Sequence, residues 1–169
     1  HPELVYVEAD LPAMAARKRS TLESMARHTS ATSAPRNHHV VAVDALAESG
    51  PLSLSESVEP HLREGAVAIV TEGLLNYFAK PQVMQMWHTF AELLAKHGGV
   101  YVSDLHLQNA AHDSRFVRGC TSLLGKFARG SLHLHFPTAA AAASALADAG
   151  FADGARLVTP RDVAHEVPI

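Results

Sequence analysis

Four times along this chain a short run of small or β-branched apolar residues stops on a carboxylic acid and gives way to a segment of different periodicity. Leu4–Val7 runs into "EADLP", Val40–Val43 ends on Asp44, Ala66–Val70 leads through Thr71 to Glu72, and Val100–Ser103 ends on Asp104. Runs of this length and composition, bounded by polar residues, read as strands. The third run, "AVAIV", is nearly continuous in its apolar residues, which predicts a strand buried on both faces. Long stretches at helical spacing separate the runs, and strands alternating with helices specify an α/β domain with a mostly parallel sheet.

The helical stretches carry their own punctuation. Pro12 opens "PAMAARKRSTLESMARH", where Met14, Lys18, Leu22 and Met25 recur at helical spacing along one face. Pro81 opens a stronger one, "PQVMQMWHTFAELLAKHGG", whose Val83, Met86, Trp87, Phe90, Leu93 and Leu94 form a broad apolar face stopped by Gly98-Gly99. Trp87 and the methionines read as core. "AAHDSRFVRGCTSLLGKFARG" is predicted helical, and Thr138 is placed to cap the Ala-rich helix that ends at Gly150. "ARLVTP" and "VAHEV" read as the last strands, and the whole, residues 1–169, as a single domain.

Composition excludes several function classes. A net charge of −3 with scattered Lys and Arg supplies no basic stripe for nucleic acid. Cys120 is the only cysteine, so no intrachain disulfide can form, and no apolar run reaches the roughly 20 residues of a membrane span. The expected setting is the cytoplasm, and the expected partner a small molecule. The 12 histidines include His38-His39 in a polar stretch and the alternating His133 and His135, which would share one strand face; no third ligand at a metal-site spacing accompanies either pair, so no metal is expected.

The acids carry the functional reading. In open α/β sheets ligands bind in the crevice outside the carboxyl ends of the strands. Glu8 with Asp10, then Asp44, then Glu72 each follow a strand, and three such acids on one edge would ring a crevice with acceptors. A carboxylate can accept from both hydroxyls of a ribose, and others from an exocyclic amine or an ammonium group, so a nucleoside cofactor is expected. An acid in a loop or at a helix start is the plainer alternative for any one of them.

"VYVEADLPAMAARKRSTL", "VVAVDAL" and "AIVTEGLLNYF" together resemble three consecutive blocks of the leucine carboxyl methyltransferase family, which includes polyketide-pathway O-methyltransferases. The resemblance is close over the first half of the chain and extends to the rest only in layout. It implies a Rossmann-like class I methyltransferase sheet, helices on both faces, and S-adenosyl-L-methionine as cofactor. It assigns Asp10, with Glu8 beside it, to the cofactor ribose, Asp44 and Ala45 to the adenine, and Glu72 to the methionine portion. Ala45 stands where the family often has leucine, a change that a backbone contact would survive. The family's Gly-rich first strand and loop precede "EADLP", whereas this sequence starts at His1-Pro2-Glu3, so the expectation is that the first strand and its loop are missing from it.

The implied activity is O-methylation of a small-molecule or peptide carboxylate or hydroxyl. A carboxylate acceptor is already ionised near neutral pH, its reference value being about 4, and needs no general base. That agrees with a sequence holding no G-x-S-x-G and no paired Cys/His motif. Tyr77, on the loop after Glu72, is a candidate for contact with the acceptor or a packing aromatic. Two rival readings stay open: a catalytically inactive methyltransferase-like binding domain, and a nicotinamide-dependent oxidoreductase, in which an acid after the second strand also holds a ribose.

Overall fold

A computed structural model of the chain describes residues 3–28, 37–108 and 133–151, together with Val158. The predicted helix between 110 and 130 and the predicted strands over 155–160 and 163–167 lie outside the described residues or rest on Val158 alone. The protein is α/β. Its elements run β1 (Tyr6–Asp10), α1 (Pro12–His28), β2 (His38–Ala42), α2 (Leu54–Val58), β3 (Val67–Thr71), α3 (Lys80–His97), β4 (Gly99–Ser103) and α4 (Ala139–Asp148), with 3-10 turns at Glu59–His61 and Leu75–Tyr77. The strands form two two-stranded sheets, β1–β2 and β3–β4. Two compact units result, one of His1–Val67 with Leu93–Val100, the other of Ala68–Glu92 with Tyr101–Ile169.

In the first unit β1 and β2 run parallel, in a register that sets Glu8 beside Val40 and Asp10 beside Ala42. Pairing continues past both ends, Tyr6 N–H donating to Asn37 O at 2.8 Å and Val43 N–H to Asp10 O at 2.8 Å. Both strands begin later or earlier than the apolar runs suggest. β1 extends through Asp10, so Glu8 lies inside the strand, and β2 begins at His38, so the two histidines of the polar stretch are strand residues. The polar side chains find partners there: Glu8 pairs with Lys18 of α1 and with His38 of β2, and His39 stacks on His61. Of the predicted α1 face only part turns inward: Ala15 is buried and Lys18 and Leu22 are half-buried, while Met14 and Met25 are exposed. Farther on, buried Ser53 caps α2, its Oγ accepting from Glu56 N–H, and Val43 and Val58 are buried.

The second unit has an aromatic core. In α3 the side chains of Val83, Met86, Trp87, Phe90 and Ala91 are buried within this unit, and those of Leu93 and Leu94 are buried in the stretch assigned to the first. Trp87 stacks on Phe136 with ring centres 5.3 Å apart, and Tyr101 sits between Phe90 at 5.3 Å and Phe151 at 5.6 Å. Polar ends of this core are satisfied: Trp87 Nε1 donates to the Tyr101 hydroxyl at 3.1 Å, which pairs with Thr71 Oγ1 at 2.8 Å. Thr71 in turn donates to Ser103 Oγ at 3.0 Å. Residues 107 and 136 form an isolated parallel bridge, and α4 is capped as its sequence predicts, with Thr138 Oγ1 accepting from Ala141 N–H at 3.2 Å.

β3 departs from the expectation of burial on both faces. Its residues alternate, Ile69 half-buried and Val70 67% exposed, and on β4 Val102 is likewise 52% exposed. In a two-stranded sheet one face meets α3 through Tyr101, and the apolar run on the other face meets solvent. Gly99 opens β4 with φ of +138°, and a Cβ built there would lie 1.8 Å from the Val67 carbonyl oxygen, so only glycine permits this approach of β4 to β3.

Candidate functional site

At β1 the two-residue period of a strand puts Glu8 and Asp10 on one face. Two carboxylates so placed repel each other, and the structure sets a cation between them. Lys18, one and a half turns into α1, reaches Glu8 Oε1 at 2.5 Å and Asp10 Oδ2 at 3.3 Å. His38, the first residue of β2, places Nε2 3.3 Å from Glu8 Oε2, and Leu11 N–H donates to Asp10 Oδ1 at 2.8 Å. Hydrogen bonding from Lys18, supported by its charge and by His38, outweighs partial burial and holds the Glu8 carboxyl below the usual carboxylate range. The same contact with Glu8 raises the Lys18 ammonium. Both acids and Lys18 are half-buried, so this is a screened pair at the rim of the sheet.

Asp44 lies two residues beyond β2 and is exposed; its Oδ1 accepts from Leu46 N–H at 3.0 Å, turning the chain through Ala45, which is half-buried in that turn. Asp44 N–H donates to Leu52 O at 2.8 Å, which ties the turn down. Because β1 and β2 are parallel neighbours and Val43 donates to Asp10, the structure brings Asp10 and the Asp44 turn to the same carboxyl edge of one sheet. Asp44 Oδ2 is unpaired among the described residues, whereas both oxygens of Asp10 already have one partner each.

Glu72 belongs to the second unit, as the first residue after β3, and is exposed, with no hydrogen bond or ion pair among the described residues. The run breaks there because Gly73, at φ of +63°, turns the chain and donates its N–H to Asp104 Oδ1 at 2.9 Å. Thus Glu72 and Asp104 each follow their strand directly. Tyr77 ends the 3-10 turn after Glu72 and is 60% exposed, so within this unit it is a surface aromatic and not a packing one. The turn is held by His135 Nε2 on Leu75 O at 3.0 Å and by Asn76 Nδ2 on His106 Nδ1 at 3.2 Å.

Sequence reasoning left Lys18 and His38 out of the site. The signal for Lys18 was present, since it occupies the helical face aimed at the sheet, where a cation needs an anion opposite it. His38 was masked by its polar neighbours, and only the register of β2 against β1 reveals it. His133 and His135 stack 6.0 Å apart, but among the described residues no group of three or more His, Cys, Asp or Glu is arranged to hold a metal ion. Among the same residues no helix is long and apolar enough to cross a membrane. No protein-family profile, curated protein or solved structure matches the chain.

Proposed function

We propose that the protein is an S-adenosyl-L-methionine-dependent O-methyltransferase of the Rossmann-like class I type, acting on a small-molecule or peptide carboxylate or hydroxyl. The observation that carries this reading is the carboxyl edge of the β1–β2 pair, where Asp10, with Glu8 behind it, and the Asp44–Ala45 turn stand on adjacent parallel strands. The donor set fits a nucleoside. Asp10 accepts for ribose hydroxyls, and Asp44 with the Ala45 backbone supplies an acceptor and a donor for the rim of an adenine. When bound, the cofactor supplies a methyl group on a sulfonium. The chain's own part is to hold the ligand in line with the acceptor, for which positioning is the main requirement. Glu72 is assigned to the cofactor's amino-acid end by the motif "TEGLLNYF" alone, and Tyr77, exposed on the same turn, to acceptor contact.

One observation favours a second reading, the inactive binding domain: every oxygen of Glu8 and Asp10 already has a partner within the chain. Calorimetric titration of the purified protein with S-adenosylhomocysteine separates the two. The methyltransferase reading expects saturable one-to-one binding; no heat change and no thermal shift at millimolar ligand would remove it. A reduced nicotinamide dinucleotide that binds in place of S-adenosylhomocysteine would establish the oxidoreductase alternative.

A further inference from the structure

We infer that Lys18 is a positioning residue of this site: its ammonium group ties Glu8 to Asp10 and leaves the free lone pairs of both carboxylates turned toward the vicinal diol of a ligand. The inference rests on the nucleoside reading of the same edge and adds a residue that the motif resemblance did not assign.

The geometry is specific. An ammonium has three donors and no acceptor, and Lys18 places two of its donors on two different acids, 2.5 Å from Glu8 and 3.3 Å from Asp10. A carboxylate has about four lone-pair sites. Glu8 uses them for Lys18 and His38, Asp10 for Lys18 and Leu11 N–H, so about two sites on each acid stay available. A diol donates two hydrogen bonds and is matched by such a pair. Without the cation, carboxylates two residues apart on one strand face would swing apart or take up a proton, and either change removes acceptors. Beside Glu8 and Lys18 lies a depression of about 240 Å³, lined also by Met14, Arg17, Thr21 and Leu22. The charged groups in contact with Glu8 are Lys18 from α1 and His38 from β2; Asp10 on its own strand shares Lys18, and Arg17 lines the same depression.

The opposite role is physically available, since an ammonium that competed with the diol would act as an internal blocker. Lys18→Met, which keeps the length of the stem and removes the charge, distinguishes them, with Lys18→Arg as the charge-preserving control. Calorimetric titration with S-adenosylhomocysteine near neutral pH is expected to show a dissociation constant raised roughly threefold to tenfold in Lys18→Met and within about threefold of wild type in Lys18→Arg. Carbon-detected NMR titration of the Glu8 carboxyl, without ligand, is expected to move to higher pH in Lys18→Met and to stay in place in Lys18→Arg, which establishes that the ion pair is lost in the first variant and kept in the second; the positioning role is then read from the difference in ligand affinity between the two folded variants. Equal or tighter binding by Lys18→Met, with wild type binding normally, overturns the positioning role and leaves the nucleoside reading standing. Failure of wild type to bind overturns both.

Discussion

Helices α1 and α3 each cover a short two-stranded sheet, and they are held there by different physics. The 18 residues of α3 bury Val83, Met86, Trp87, Phe90, Ala91, Leu93 and Leu94. The 17 residues of α1 bury Ala15 alone and reach β1 and β2 by charge and hydrogen bond, Lys18 to the acids and Arg19 Nη1 to Val40 O at 3.0 Å. Burying a large apolar side chain contributes about 1.5–3 kcal/mol, whereas a half-exposed ion pair contributes about 0–1 kcal/mol. The α3 layer is therefore held by its apolar core, and the α1 layer by polar contacts at the edge proposed to bind a ligand. A region held by few apolar contacts is also the one expected to open first.

Removing apolar volume from α3 should produce the largest effect. Phe90 is 4% exposed and packs on Tyr101, so Phe90→Ala should cost roughly 3–5 kcal/mol in urea denaturation. A cost near zero would mean that the two layers do not differ as described. Gly99→Ala comes next: its Cβ would meet the Val67 backbone, and forced overpacking typically costs about 1–3 kcal/mol. An unchanged midpoint would show that β4 does not approach β3 so closely.

A smaller effect should be confined to the first unit and depend on pH. His39 and His61 stack with ring centres 4.3 Å apart, and burial, then the neighbouring His39, lower the affinity of His61 for its proton. The unfolded chain, with His61 near its ordinary value of about 6.5, then binds more protons than the folded chain. Stability contributed by neutral His61 is complete above that value and declines as the pH falls through and below it. His61→Asn should flatten the dependence between about pH 7.5 and 5.5; an unaltered slope would assign it to other groups. Smallest of all, Val70→Ser on the exposed face of β3 should change stability by less than about 0.5 kcal/mol, and a larger loss would show that this face is covered in solution.

The contrast was partly legible in the sequence. The apolar period of 81–97 identified every large buried residue of α3, because a wide apolar stripe has one stable orientation. The stripe of α1 misled, because Met14 and Met25 are apolar in type but stand on exposed turns, while Lys18 between them faces inward. Periodicity weighs hydrophobicity and has no term for an anion waiting on the sheet. Strand ends were placed well where a residue of fixed conformational demand follows, as Gly73 follows Glu72. They were placed less well at β1 and β2, where Glu8 and His38 are strand residues whose side chains meet across the pair, a contact that depends on register and not on either segment. The Asp44 turn was legible as an acid at a strand end, whereas its internal bond to Leu46 was not.

The central claim is that the carboxyl edge of β1–β2 binds a nucleoside through Asp10 and Asp44, and titration of the separate variants with S-adenosylhomocysteine tests it most directly. A hydrogen bond to a charged acceptor contributes roughly 1.5–3 kcal/mol, so Asp10→Ala and Asp44→Ala should each raise the dissociation constant on the order of tenfold to a hundredfold. Asp44→Asn should be milder, its amide oxygen still accepting. Glu72→Ala tests the third acid on the same scale. Circular dichroism must show each variant folded, and Val70→Ser serves as the neutral control. Wild type that binds while Asp10→Ala and Asp44→Ala bind as tightly would contradict the account; losses confined to the acid variants, with the control unchanged, are what it predicts.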